Sequence, residues 1–462
     1  MIGRHRHVPL KAWSSRSGVQ DRSYRYARLH LRYPAVGKAL GASARVGTVI
    51  QILPRPALAT ALRNADILAV LIAASLPWST SLPAIFTGLW LLALVPIIAP
   101  AALLQLSRRP VSLLPIGFFM LAVVGTLWST APWGARFYYV GPLAKLLVIP
   151  LLIYHFQRSS RGTWVFVAFL ASSTLLMIMS WVVAVEPRLA LRPDAYYGVP
   201  VKNYIDQSQE FALCAVALAY PIISLLRQRR FAEAAGLIAI AVAFIANMTF
   251  IVVSRTALVT MPAMLCIFAF LHLTRRSMIA VLGGFLVIAA VVWFASPNLR
   301  TRAASAFTEY RAYETSDQAT SVGLRLEFWS KSLQFFREAP LIGHGTGSVR
   351  SLFEQSAVGQ TGVAAETIAN PHNQTLYTAV QWGVLGVAIL YAMWFTHLLL
   401  FRGPSLTHWI GFLVVTQNIM TSLFNSHLFD FHEGWMYVLG VGVAGGMVLA
   451  TKATRRQSEQ PS

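Results

Sequence analysis

The chain has 462 residues, 56% of them hydrophobic and 12% charged, with 38 lysines and arginines against 17 acids and a formal net charge of +21. Soluble domains carry about a quarter charged residues, so this composition excludes an ordinary soluble globule and predicts an all-α, polytopic membrane bundle. The positive excess calls for no nucleic-acid partner, because many of the basic residues stand at the ends of apolar segments, where the positive-inside rule puts them.

Residues 1–62 hold eleven lysines and arginines against the single acid Asp21 and contain no long apolar run. The charged stretch is too long for a signal peptide, and no apolar core with a small-residue cleavage site follows promptly. It reads as a basic cytoplasmic tail, in which Tyr24 to Leu40 has the composition of an amphipathic helix for anionic lipid.

Crossing a hydrocarbon core of about 30 Å takes about 20 residues. Twelve segments are candidates: 64–80, 82–106, 112–130, 137–155, 163–184, 209–226, 232–252, 256–273, 278–295, 376–401, 407–424 and 434–451. From an inside start, the inner turns carry Arg108 and Arg109, Arg158 and Arg161, Arg227 to Arg230, Arg275 and Arg276, Arg402, and Lys452 with Arg455. Every inside loop is basic, which makes both termini cytoplasmic. The expected organisation is a tail at 1–62, nine helices over 63–295, an outer loop domain at 296–373, three helices over 374–451 and a second tail at 452–462. The outer loop balances seven basic against seven acidic residues, as a folded domain does, and Leu324 to Arg337 has the spacing of an amphipathic helix that Pro340 ends. Matching broken helices in two halves, expected of an inverted-repeat transporter, are not evident.

Charges at or inside a membrane edge are costly and call for a reason. Lys145 lies within the fourth apolar segment, where it either bonds a neighbouring helix carbonyl or lines an outward cavity for an anionic head group. Arg136, after Pro132-Trp133-Gly134, either anchors to lipid phosphate or serves a substrate. Arg255 occupies a tight turn between two apolar helices, beside Ser254 and Thr256, from which its fork can take phosphate oxygens bidentately. Gly343-His344-Gly345-Thr346-Gly347-Ser348 lacks the lysine and the preceding strand of a phosphate loop, so close backbone packing is expected of it.

His372 stands in Asn370-Pro371-His372-Asn373, a turn that should start a helix, and an imidazole there can take a proton near neutral pH or simply bridge helices. Gly383 and Gly386 follow on the same helix, where their small faces would admit a neighbour. The spacing of His427, Asp430, His432 and Glu433 fits neither a His-Glu-x-x-His helix nor an Asp-x-Asp motif and reads as a solvated loop, with Asp430 a weaker candidate for orienting His372 or pairing with one of the arginines; no metal or cofactor is expected. Cys214 and Cys266 are isolated and read as small buried hydrophobes.

A His372-Asn373 pair, nine residues and then Gly383-x-x-Gly386, with Ser254-Arg255, Arg325 and the Gly343 to Gly347 run, resembles the O-antigen ligase and polysaccharide polymerase superfamily of bacterial inner membranes. The resemblance implies a GT-C-like fold of about twelve membrane helices with a large periplasmic loop. It further implies transfer of a glycan from undecaprenyl diphosphate to a sugar hydroxyl of lipid A-core at the periplasmic face, with membrane lipids as partners and without metal, nucleotide or nucleic acid. By the same resemblance Arg255, Arg325 and His372 are the required residues, with His372 the base and Arg255, Arg325, Lys145 and Arg136 facing the diphosphate; Asn373 is a weaker candidate. An O-antigen polymerase or a protein O-oligosaccharyltransferase would share the donor site, and a lipid-linked glycan transporter is the rival outside the enzymes.

Overall fold

The computed structural model describes residues 55–192, 197–316 and 319–458. The expected tail at 1–62 falls mostly outside the described residues, and the first helix, α1 (Arg55–Ser75), begins before the expected boundary. Among the described residues the secondary structure is helical throughout and no strand occurs. The chain is a multi-pass, all-α membrane protein: among the described residues nine helices are long and apolar enough to cross a membrane, ten if one bent pair counts as a span.

All twelve expected segments are helical, but three do not pass as unbent spans, namely the second, the third and the eleventh, whose helix Leu406–Thr421 has 16 residues, and the fourth, though long enough, is composite. The second is α2 (Ser81–Leu94) with a 3-10 turn, followed by α3 (Pro100–Ser107), and the two arms are bent by 117°. Pro100 cannot continue the ladder of the preceding arm and instead starts the new one. The third, α4 (Pro110–Val124), has 15 residues, short of the roughly 20 that a perpendicular span needs. The expected helix at 137–155 is composite: α5 (Trp133–Val140), a 3-10 stretch Gly141–Leu147 and α6 (Val148–Phe156). Pro142 removes a donor there, and Lys145 lies in the tightened stretch.

α7 (Gly162–Val185) leads to α8 (Tyr204–Ala217), whose N-cap Asn203 accepts from the amides of Ile205 and Asp206. After α9 (Ala219–Arg227) come α10 (Phe231–Phe250), α11 (Arg255–His272) and α12 (Arg275–Ala295). The long segment after α12 holds α13 (Pro297–Ser316), α14 (Ser321–Glu338) and α15 (Ser348–Ala357). α14 is the amphipathic helix expected from the sequence, and its apolar face supplies Phe328 and Phe335 to a small second core with Val349, Phe353, Tyr377 and Val380.

The bundle closes with α16 (Gln374–Leu400), the 16-residue α17 (Leu406–Thr421) and α18 (Phe431–Ser458), which runs past the expected end of the last span. The main core gathers α1, α4, α6, α8, α16, α17 and α18. Cys214 is buried there as expected, whereas Cys266 is half-buried.

Candidate active site

A break in α16 sets the position of the candidate site. Trp382 and Gly383 leave helical geometry, Gly383 with φ 59° and ψ −154°, a region open essentially to glycine alone. The broken ladder exposes backbone groups, and the glycine run fills them: His344 N donates to Val380 O (2.9 Å), Gly345 N to Gln381 O (2.8 Å) and Val384 N to Pro340 O (2.8 Å). A Cβ at Gly343 would meet the Gln381 backbone at 2.4 Å, and one at Gly383 the Leu341 backbone at 2.4 Å. The run is therefore a packing device, as its sequence suggested. Gly383 does not receive a neighbouring helix, however; it receives the strap at Leu341 and Ile342, while Gly386 faces Trp382 and Thr378 of its own helix.

The short outer piece of α16 begins at a cap. Asn373 Oδ1 accepts from Leu376 N at 3.0 Å, and its amide donates to Leu423 O at 3.2 Å, so Asn373 fixes the helix start. Just before it, His372 has φ 55°, an uncommon conformation for a side-chain-bearing residue. Asn370 holds that turn by accepting from His372 N at 2.9 Å, and Trp329 of α14 donates to Pro371 O at 3.1 Å.

The loop between α17 and α18 completes the arrangement. Asn425 Nδ2 donates to Asp430 Oδ2 at 2.8 Å, which turns Oδ1 toward His372 Nδ1, 2.9 Å away. With a carbonyl oxygen facing it, Nδ1 is the protonated nitrogen of the neutral ring and Nε2 carries the free lone pair. The two loops are stitched further by Ser426 Oγ to Asn370 Oδ1 (2.7 Å), Gln374 N to Ser422 O (2.9 Å) and Leu428 N to Gln374 Oε1 (3.0 Å). Burial holds the His372 pKa below the ordinary imidazole value; the Asn425 hydrogen bond works against this and the nearby Arg325 cation with it.

Arg325, in the first turns of α14, is half-buried, and burial lowers its pKa. It interacts electrostatically with Tyr204, Arg255 and Glu309, and also with His372. Arg255 opens α11, and its fork is occupied: it holds both carboxylate oxygens of Glu309 on α13, one of them at 3.1 Å, and the Ser305 hydroxyl at 2.7 Å. The Arg255 hydrogen bond holds the Glu309 carboxyl below its usual range. The Arg255 and Glu309 side chains are 29% and 21% exposed, so the pair stands at the rim and exchanges with solvent species more readily than a buried one.

Two expected cations have other duties. Lys145 is only 8% exposed and donates to the backbone carbonyls of Phe429 and Asp430. This is the carbonyl-bonding role rather than an open cationic wall, and it ties the 3-10 stretch of the fourth segment to the α17–α18 loop. Arg136 donates to Ala131 O (2.5 Å) and Thr126 O (2.8 Å) and lies 4.2 Å from the Trp133 ring centre. Through Nε and Nη1 it closes the loop after α4.

The loop read as solvated is in fact buried: His427 is 1% and Glu433 4% exposed. His432 pairs with Asp206 at 2.8 Å, and Lys202 pairs with Glu210, both inside the bundle. Burial disfavours a charge on His427, but Glu433 and Asp430 outweigh it and push the imidazole up to about 10. Sequence reasoning missed Asn425, Asn370 and Glu309. Asn370 stood in the turn that the sequence singled out and Asn425 just outside an apolar helix, but neither position announced its partner.

The structure thus joins His372 with Asn425 and Asp430, and Arg325 lies within electrostatic reach of both His372 and the Arg255–Glu309 pair. A base with a fixed lone pair beside cations can deprotonate a hydroxyl while stabilising a departing anion. Residues 238–391, a third of the chain, match a family model described as O-Antigen ligase. That segment contains Arg255, Arg325 and His372, whereas Asn425 and Asp430 lie beyond it. No curated protein matches the chain.

Proposed function

We propose that this chain, whose residues 238–391 match a family model described as O-Antigen ligase, transfers a glycan from undecaprenyl diphosphate to a sugar hydroxyl of lipid A-core. On this reading it works in the bacterial inner membrane with the His372 side facing the periplasm, consistent with basic inner turns. The observation that carries the proposal is the hydrogen bond from His372 Nδ1 to Asn425 at 2.9 Å, which leaves Nε2 as a base beside Arg325.

In the proposed reaction Nε2 of His372 takes the proton of the acceptor hydroxyl. The oxygen forms its new bond to the anomeric carbon as the bond from that carbon to the diphosphate oxygen breaks, and direct displacement inverts the centre. The leaving diphosphate meets Arg325, and Arg255 joins it by exchanging the Glu309 carboxylate for phosphate oxygens, since both are planar-fork partners of a guanidinium. Guanidinium groups so placed supply the charge stabilisation that a metal gives in other transferases. Lys145 and Arg136 act through the loops they hold, and Asp430 acts through Asn425.

Reconstitution with purified lipid-linked donor and lipid A-core tests the proposal. New glycosylated lipid A-core, formed without nucleotide and lost in His372→Ala, is the expected result. Lengthened donor glycans with unmodified lipid A-core would assign a polymerase instead, a glycosylated protein acceptor would assign an oligosaccharyltransferase, and donor crossing the bilayer with no new glycosidic bond would overturn the transferase.

A further inference from the structure

Fifteen buried side-chain atoms have no hydrogen-bond partner among the described residues, and both carboxylate oxygens of Glu433 are among them. Glu433 is 4% exposed. A buried carboxylate without a donor is among the costliest arrangements in a protein and requires a proton, a water or an ion. A cavity of about 10 Å³ borders Glu433 together with Gln209, Gln417 and Asn418, room for one water and so for one of the two oxygens. Oε1, the oxygen on the His427 side, stands 3.7 Å from His427 Nδ1, too far for a hydrogen bond. That same nitrogen lies 3.1 Å from Asp430 Oδ2 yet makes no aligned hydrogen bond.

Three ligand atoms of different residues therefore converge without bonding one another well, one each from His427, Asp430 and Glu433, all within 4.8 Å. Bonds of about 2.0–2.2 Å to a small divalent ion bring its ligand atoms to within about 4.4 Å of each other, so the set needs only sub-ångström closure. We propose that His427, Asp430 and Glu433 form a site for one first-row divalent cation, of which Zn²⁺ and Mn²⁺ suit one imidazole and two carboxylates. The ion neutralises the buried Glu433 carboxylate and the partly exposed Asp430 carboxylate. It braces the loop that carries Asn425, and it stands behind Asn425 rather than beside the reacting atoms. Lys145, held by the Phe429 and Asp430 carbonyls, fastens the same loop from its other side. The site stands on geometry separate from the transferase reading.

The test uses the full chain in detergent, stripped by chelator dialysis and titrated with MnCl₂ under electron paramagnetic resonance, with no donor or acceptor present. The expected result is one tightly bound Mn²⁺ per chain, displaced by Zn²⁺, with the nitrogen coupling of a single imidazole in the pulsed spectrum. Glu433→Gln and His427→Gln should each weaken binding at least tenfold, and the wild-type nitrogen coupling needs neither variant to fold. A stripped chain that binds neither Mn²⁺ nor Zn²⁺ would overturn the site and show that a His427 proton and the Lys145 ammonium balance the carboxylates. Tight binding without nitrogen coupling, or binding unchanged in folded variants, would equally overturn it. Because the readout is binding alone, either failure leaves the transferase proposal standing.

Discussion

Asn425→Ala separates a base that is merely present from one that is correctly aimed. Asn425 accepts from His372 Nδ1 at 2.9 Å and donates to Asp430 at 2.8 Å, so its removal deletes the contact that keeps the lone pair on Nε2 and leaves the Asp430 carboxylate without that donor. A neutral hydrogen bond contributes about 0.5–1.5 kcal/mol net. Since about 1.4 kcal/mol is a tenfold population change, the fraction of rings in the productive tautomer and orientation should fall by about two- to tenfold. Turnover should fall by the same factor while KM for the donor stays constant, because Asn425 touches no cation of the proposed donor site. His372→Ala, by contrast, should cost the roughly hundred- to ten-thousand-fold of a lost general base. Asn425→Asp keeps an acceptor opposite Nδ1 and should recover part of the alanine loss, although it sets two carboxylates against each other.

The assay is single-turnover transfer from labelled donor to lipid A-core, with detergent chromatography to confirm that each variant is folded. Full turnover in folded Asn425→Ala would show that the ring needs no orienting partner. A loss as large as that of His372→Ala would refute the reasoning from the other side, since one neutral hydrogen bond cannot account for it.

Arg255→Ala should raise donor KM and lower turnover together, and Arg255→Lys should restore only part of both, because an ammonium cannot reproduce the fork; kinetics at varied donor concentration distinguish these. Glu309→Gln should lower donor KM by up to about fivefold, the weight of a partly exposed ion pair of at most about 1 kcal/mol, if diphosphate replaces Glu309 in the Arg255 fork; an unchanged or raised KM would refute the exchange. The acid limb of kcat/KM should lie below the ordinary imidazole pKa of about 6.5, because burial depresses His372 and favours the neutral ring. Arg325→Ala removes a cation that lowers this pKa, so it should move the limb toward higher pH; a shift toward lower pH would separate the limb from His372. Gly383→Ala should reduce folded yield, since φ 59° with ψ −154° costs a side-chain-bearing residue about 1–3 kcal/mol before its Cβ meets the Leu341 backbone at 2.4 Å.

The sequence displayed what local spacing controls. Apolar runs located all twelve helical segments, aromatic spacing located α14, and Asn370-Pro371-His372-Asn373 marked the start of α16. It did not display where an apolar run bends. The 117° break before Pro100 and the 3-10 stretch after Gly141 leave hydropathy unchanged while altering the path of the chain, so length counted as a span did not always make one. Charge was legible as a cost and not as an assignment. Lys145, Arg136 and Arg255 are all cations at a membrane edge, and only tertiary contacts reveal that the first two spend their donors on loop carbonyls while the third grips a carboxylate.

Partners distant in sequence were the larger gap, and they matter most for chemistry. His372 meets Asn425 across 53 residues and Arg255 meets Glu309 across 54, distances over which no periodicity operates. What makes such pairings possible is the break at Trp382–Gly383. An unbroken α16 would satisfy its own ladder and offer nothing to the strap at 340–347, whereas the broken one takes the strap's amides and carbonyls. The strap follows α14, so docking it also docks the helix that carries Arg325 and bonds Pro371 through Trp329. The glycines thus reach the candidate base indirectly, by fixing the helix that bonds the turn before it, and a residue pattern that looked like a phosphate loop positions Arg325, a cation of the proposed donor site, through backbone packing alone.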